Sequence, residues 1–231
     1  MTTALIDADI VAYRCAAASE KEPYDVALLR ADELMRRIIQ ETESDTYKAF
    51  LTGSDNYRYK YNPEYKANRK DTPRPVHLQA VREFLCTEWN ASVEDGQEAD
   101  DAMGIYQTTY PDTIICSIDK DLLMIPGEHY DFVKNIRRDI YHIPAIRHFY
   151  WQLIMGDRTD NVFGFDGIAR QKVPKKLEPI MEQLESFDDE FDMCKFVREL
   201  YNDDDTLVKN GICLWIRRQE GEIWVPPYEE N

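Results

Sequence analysis

The chain has 231 residues, 43% of them hydrophobic, enough for one sizeable core or a main domain with a smaller appendix. Its net charge of -16 argues at first sight against nucleic acid as a partner, but the charge is unevenly spread. Residues 182–205 alone carry ten acids against Lys195 and Arg198. Five widely spaced cysteines without a Cys-x-x-Cys pair point to reduced thiols, and the four histidines lack zinc spacing. With no signal peptide or membrane-spanning run, the expected location is cytoplasmic.

Thr3–Ile6 reads as a buried strand ending on Asp7-Ala8-Asp9. Residues 25–42 carry apolar side chains at helical spacing, and 47–51 form a second strand. Strand, helix, strand suggests a parallel sheet. A helix is expected over 76–90 and another from about Glu98. Thr113–Ser117 is the clearest buried strand, and it delivers Asp119 and Asp121. Residues 130–134 and 139–143 read as edge strands, and 145–155 as a helix. Gly164–Gly167 reads as a turn before a further helix, and 176–186 and 188–201 as acidic amphipathic helices. The stretch from Leu214 to Val225 is expected to be strand-like or a packed tail.

The expected fold is therefore α/β, with a central parallel sheet flanked by helices. Ligands of such sheets gather beyond the carboxyl ends of the strands. That end would receive Asp7 and the Asp119/Asp121 pair, beside Glu98, Asp100 and Asp101 on the first turn of a helix, where ~100° per residue fans them over one side. Asp157 and Asp160 add two more carboxylates. Several ionised carboxylates share a pocket only with raised pKa values or a bound cation, and an all-oxygen set suits Mg²⁺ or Mn²⁺. Two such ions roughly 4 Å apart clamp a phosphodiester for attack by water.

Residues 57–74 supply a substrate surface. Arg58, Lys60, Lys66, Arg69, Lys70 and Arg74 stand against only Glu64 and Asp71, with Tyr57, Tyr59, Tyr61 and Tyr65 interleaved. Cations that track a backbone and rings that stack on bases suit single-stranded nucleic acid.

The phrases Tyr65-Lys66-Ala67-Asn68-Arg69, Glu98-Ala99-Asp100-Asp101, Ser117-Ile118-Asp119-Lys120-Asp121 and Gly156-Asp157-Arg158-Thr159-Asp160-Asn161 occur in the order of the flap endonuclease superfamily. The chain most resembles phage 5′-3′ exonucleases, including the double-strand-specific exonuclease of short-tailed phages. The likeness runs from Leu5 to about Lys172, with a weaker one over Trp215–Tyr228. It implies a PIN-like 5′-nuclease domain over 1–155 with a basic arch at 52–75. A helix–three-turn–helix and C-terminal helical region follow over 156–231.

In that likeness Asp7, Glu98, Asp100 and Asp119 hold a first metal, and Asp101, Asp121, Asp157 and Asp160 a second, some through water. Asp7 and Asp119 are thereby catalytic. Lys66 and Arg69 are the basic pair that reaches the scissile phosphate, and Tyr65 stacks on the terminal base. The Gly164–Gly167 turn presents N–H groups to a duplex phosphate, with K⁺ bound there, and Arg170 and Lys172 lie offset from the usual lysine. Where the family carries an aspartate after its second strand, this chain has Gly53, with Asp55 two places on; either Asp55 substitutes or one carboxylate is missing. Asp9 has no family role and reads as a helix cap.

The implied activity is 5′-3′ exonucleolysis of DNA in a bacterial host's cytoplasm, extending to flaps and to RNA in RNA–DNA hybrids. Two rivals stand beside it: a PIN-type ribonuclease, and a non-catalytic DNA-binding module derived from a nuclease, which Gly53 alone favours.

Overall fold

The computed structural model describes residues 1–227; Tyr228, the end of the tail likeness, and the last residues of the 156–231 domain lie outside the described residues. Two compact units divide the chain. The first comprises Met1–Asn56, Pro73–Ile140 and Arg217–Glu220; the second comprises Tyr57–Thr72, Tyr141–Ile216 and the tail from Gly221. The expected boundary at residue 155 thus falls inside the second unit, which takes up the chain at Tyr141, and the basic stretch 57–72 groups with that unit.

In the first unit, β1 (Thr3–Asp7) runs without a loop into α1 (Ala8–Ala18), followed by α2 (Tyr24–Glu41), β2 (Thr46–Asn56), α3 (Leu78–Glu88), β3 (Ser92–Gly96), α4 (Ala99–Thr109), β4 (Thr113–Cys116), β5 (Gly127–Asp131) and β6 (Ile136–Ile140). The strands form one sheet in the order β3-β2-β1-β4-β5-β6. The first five are mutually parallel and β6 pairs antiparallel with β5. Side-chain alternation sorts the core into two layers. Ala4, Ile6, Leu51, Ile114 and Cys116 join the cluster formed with α1, α2 and α3. Leu5 and Ile115, fully buried on the other face, lie on the side where α4 packs against β1, β2 and β4.

The parallel sheet and the helices over 25–42, 76–90 and from Glu98 agree with the sequence reading. α1 and β3 escaped it. β1 passes into α1 at Asp7 with no turn residue between, and β3 (Ser-Val-Glu-Asp-Gly) carries two acids and one large apolar side chain. The edge hairpin β5–β6 sits about three residues earlier than expected, with Tyr130 inside β5 and paired to Cys116 and Arg137. Asp9 is not the helix cap: Asp7 is, accepting from the Ile10 N–H at 3.0 Å. Asp9 instead pairs with Arg82 of α3 and accepts from the Thr52 N–H at 2.8 Å, while Arg82 donates to the Thr52 carbonyl at 2.6 Å. One ion pair thereby ties α1, β2 and α3.

The second unit is built on α5 (His142–Met155), then β7 (Gly156–Asp157), β8 (Val162–Phe163), α6 (Glu178–Glu185), α7 (Glu190–Tyr201) and α8 (Asp204–Leu214). α6, α7 and α8 all pack on α5. Phe149 of α5 meets the rings of Tyr150, Trp215 and Trp224, so the tail is packed rather than a strand. Trp224 lies over Gly211, where any Cβ would overlap its ring. α8 was not foreseen, because its sequence opens on three aspartates. Asp203 caps it, accepting from the Asp205 N–H at 3.2 Å, just as Asp189 caps α7. No helix among the described residues is long and apolar enough to cross a membrane.

The expected helix–three-turn–helix is only partly present. The turn exists, with the Gly167 N–H donating to the Gly164 carbonyl at 2.9 Å, but 168–174 is irregular and the next α-helix begins at Glu178.

Gly53 sits in β2 against β3, where a Cβ would overlap the Asp95 carboxylate and the Glu94 carbonyl oxygen. Gly53→Ala is therefore expected to cost about 1–3 kcal/mol in urea unfolding, because the backbone carbonyl cannot move aside like a flexible side chain.

Candidate functional site

The sheet order reverses between β1 and β4, which leaves a crevice at their carboxyl ends. Asp7 closes β1 there and is 2% exposed. Its Oδ1 caps α1, and its Oδ2 accepts from the Ser117 hydroxyl at 2.6 Å. Ser117 Oγ in turn accepts from the Asp119 N–H at 3.0 Å, and Asp119 Oδ1 accepts from the Asp121 N–H at 2.9 Å. The loop after β4 is thus folded onto the end of β1 by a relay of short bonds. Asp7 and Asp119 are brought together by it, with Asp121, which also pairs with Lys120 at 3.7 Å, at its far end.

Burial pushes the Asp7 carboxyl from the ordinary 3.8 up to about 7, opposed by the bonds from Ser117 and Ile10 and reinforced by the charges of Asp9 and Asp119. A carboxylate so placed is ionised at lower pH by a neighbouring cation. The donors around it are all oxygens, so the set fits a hard divalent ion. Among the described residues, no three carboxylates, imidazoles or thiols are drawn close enough to hold an ion as they stand.

Glu98 and Asp101 form a capping box on α4. Asp101 is completely buried, and its two oxygens accept from the Glu98 N–H and from the Arg217 N–H, each at 3.0 Å. Arg217 then donates to Gln97 Oε1 at 3.1 Å, so Asp101 fastens the 217–220 segment to the head of α4. Asp100, on the same turn, is half-buried. Asp55, two places beyond Gly53, is exposed and accepts from the Asn56 N–H at 2.9 Å. The Asp95 carboxylate fills the room beside Gly53 instead. Asp95 went unread because β3 itself did.

In the second unit, Asp157 is 4% exposed and its Oδ1 accepts from the N–H groups of Thr159 (2.6 Å) and Asp160 (3.1 Å), which shapes the loop 158–161. The basic stretch lies on that loop. Tyr65 Oη donates to Asp160 Oδ2 at 2.7 Å, Arg69 Nη2 to Asp160 Oδ1 at 2.6 Å, and Lys66 Nζ stands 3.7 Å from Oδ2. Lys66, Arg69 and Asp160 are therefore together.

Several expected DNA contacts are corrected. Arg58 is 1% exposed: Nε donates to the Cys213 carbonyl at 2.9 Å, Nη2 to that of Trp215 at 2.6 Å, and the guanidinium lies over the rings of Tyr57 and Tyr65. It anchors the stretch and does not face solvent. Tyr65 is 2% exposed, so its ring does not offer a stacking face, whereas Tyr59 and Tyr61 are 42% and 43% exposed. Arg170 is bound to Asp166, whose carboxyl it holds below the usual range. The Gly164 N–H donates to the Ile168 carbonyl at 3.1 Å, so the turn uses the N–H groups of Gly164 and Gly167 on itself. Lys60, Lys70 and Lys172 are exposed.

The family model for the 5′-3′ exonuclease N-terminal resolvase-like domain matches residues 2–150. The chain is 27% identical over 168 residues to DNA polymerase I of Caldicellulosiruptor bescii, covering 63% of this chain and 20% of that one. It is 29% identical over 199 residues to DNA polymerase I of Bacillus caldotenax, covering 75% and 23%. It thus spans about a fifth of the length of these relatives. Among solved structures it is similar to a bacteriophage T5 protein co-crystallised with metal ions, at a TM-score of 0.65 and 16% identity, covering 93% of this chain and 89% of that one. The bacteriophage T5 flap endonuclease, in a pseudo-enzyme–product complex with DNA and metal ions, gives a TM-score of 0.63 at 18% identity with the same coverages. At such identities these likenesses speak for the fold.

Two outcomes follow from this geometry. A carboxyl with a raised folded-state pKa stabilises the fold while protonated; the contribution is complete below the ordinary 3.8 and lost as pH rises through about 7. In EDTA, the thermal midpoint should therefore fall as pH is raised across that interval, and Asp7→Asn should flatten the fall. Arg58→Ala should cost about 2–4 kcal/mol in urea unfolding, because two buried carbonyls lose their donors, whereas Lys60→Ala should stay within about 0.5 kcal/mol.

Proposed function

Because the chain belongs to the 5′-3′ exonuclease N-terminal resolvase-like family, we propose that it is a divalent-metal-dependent 5′-3′ exonuclease acting on DNA from the 5′ end. Flap cleavage, hydrolysis of RNA in RNA–DNA hybrids and K⁺ at the Gly164–Gly167 turn belong to the same proposal. The observation that carries it is the buried carboxylate of Asp7, bound through Ser117 to Asp119 at the sheet's switch point.

Asp7, Glu98, Asp100 and Asp119 are proposed to hold one Mg²⁺ or Mn²⁺ ion; for Asp121 in the first unit, and for Asp157 and Asp160 in the second, the resemblance implies roles at a further ion. Asp101, with both oxygens on backbone N–H groups, acts through water and chiefly holds the head of α4 in place. When bound, the ions supply positive charge to the phosphate and an acidified water as nucleophile. The chain's own part is positional. Ser117 donates to the Asp7 carboxylate and accepts from the Asp119 N–H, which holds the two residues together, and Asp7 is buried. Lys66 and Arg69 carry the charge that meets the scissile phosphate. Tyr59 and Tyr61 provide faces for bases, and Lys60, Lys70 and Lys172 track the backbone.

The test is a gel with blunt duplex, 5′-flapped duplex and hybrid substrates, in Mg²⁺ and in EDTA. Short products from the 5′ end of the blunt duplex, absent in EDTA, are expected. Asp119→Asn should lower the rate at least about 10²-fold while leaving DNA affinity in Ca²⁺ within a few-fold; Mg²⁺-dependent turnover retained by that variant would refute its role. Preference for single-stranded RNA would select the PIN-type ribonuclease, and tight binding with no cleavage a DNA-binding module.

A further inference from the structure

Residues Arg217–Glu220 belong to the first unit, although the chain reaches them only after Tyr141–Ile216 of the second. They lie along α4, on a stripe that Asp101 and Thr108 mark at helical spacing. The Arg217 N–H donates to Asp101 Oδ1 at 3.0 Å, and the Thr108 hydroxyl donates to the Arg218 carbonyl at 2.5 Å. The two side chains serve different neighbours. Arg217, 9% exposed, donates from Nη1 to Gln97 Oε1 at 3.1 Å, and Gln97 Nε2 carries the contact on to Glu94 of β3 at 3.3 Å. Arg218 Nη2 donates to the Met124 carbonyl at 2.6 Å, at the end of the short helical turn Asp121–Met124.

Two adjacent arginines thus touch two segments that carry candidate ligands. One is the head of α4, with Glu98, Asp100 and Asp101; the other is the loop after β4, with Asp119 and Asp121. Each segment is fastened to its own strand. The Ala99 N–H donates to Thr52 Oγ1 of β2 at 3.0 Å, and Ser117 binds the loop to Asp7 of β1. The arginines span the two. We infer that Arg217 and Arg218 are positioning residues, a clasp that sets the separation of the carboxylate-bearing segments. An oxygen-ligated divalent ion holds its ligands at about 2.0–2.6 Å, so a drift of a few tenths of an ångström between Glu98 or Asp100 and Asp119 weakens it. The clasp lies far along the chain from either segment, and neither arginine supplies a ligand.

The consequence for ions rests on the function proposed above, and the experiment separates the two. Amide hydrogen exchange of the full chain in EDTA reads the clasp by itself. Arg218→Ala removes the donor to Met124, yet exchange at the Glu98 N–H, in the other segment, should quicken at least about fivefold. Arg217→Ala should do the same at the Asp121 N–H. Effects confined to the segment that each side chain touches overturn the clasp. Calorimetry with Mg²⁺ and Mn²⁺ reads the consequence. Each alanine variant should raise the ion's Kd about tenfold, and raise the Mg²⁺ concentration for half-maximal cleavage by the same factor with KM for DNA unchanged. Arg218→Lys, which keeps a donor for the carbonyl, should return Kd to within about threefold of the unaltered chain. Lower stability in urea with Kd unchanged overturns the positioning role. No ion binding by the unaltered chain overturns the proposed function, and the exchange result then decides the clasp on its own. Should Arg217→Ala fail to fold, Arg218→Ala and Arg218→Lys decide, and unchanged exchange at Glu98 in Arg218→Ala refutes the clasp.

Discussion

The fold of the first unit turns on one buried carboxyl group. β1 occupies the middle of the sheet, and its last residue, Asp7, is withdrawn from water while still serving as the cap of α1. Ionising such a group is unfavourable unless opposite charge is near, and the nearest acids, Asp9 and Asp119, oppose it. The surroundings respond in two ways. Ser117 and the Ile10 N–H donate to Asp7, and Arg82 neutralises Asp9 while binding β2 to α3. What remains is a site biased toward either a proton or a cation, at the crevice where a parallel sheet gathers ligands.

The same constraint governs the rest of the acidic sequence. Acids that look like an undifferentiated patch over 182–205 have separate duties: Asp189 and Asp203 cap helices, Asp204 pairs with Arg198, and Asp188 with Arg147. Asp101 fastens the 217–220 segment to α4, and Asp157 shapes the loop that carries Asp160. A net charge of -16 is therefore compatible with a polyanionic substrate, because so many carboxylates are turned inward or paired.

The basic stretch shows the converse. Arg58, Tyr57 and Tyr65 are structural, seated on the carbonyls of Cys213 and Trp215 or on one another. Tyr59, Lys60, Tyr61 and Lys70 are left at the surface. A run of alternating aromatic and cationic residues thus splits into an anchoring half and an exposed half, with Lys66 and Arg69 between, held by Asp160.

By itself the sequence determined the class of fold, the order of most elements and the positions of the carboxylates. Parallel strands buried on both faces are written as short apolar runs, and Asp7, Asp119 and Asp121 follow such runs directly. Periodicity served for α2, α3 and α4 for the same reason. It failed at α1, β3 and α8, where a strand passes into a helix without a turn, where an edge strand is half acidic, and where a helix begins on its own capping acids. Which charges face inward was decided only by tertiary structure. Arg58 and Lys60 are two residues apart and alike in sequence, yet one is sealed beneath the end of α8 and the other is open to water. Asp7 likewise took the capping part expected of Asp9, because capping depends on which residue stands at the last extended position, and that position is set by the pairing of β1 with its neighbours. A local pattern records hydrophobicity; the partner that satisfies a buried charge comes from far along the chain.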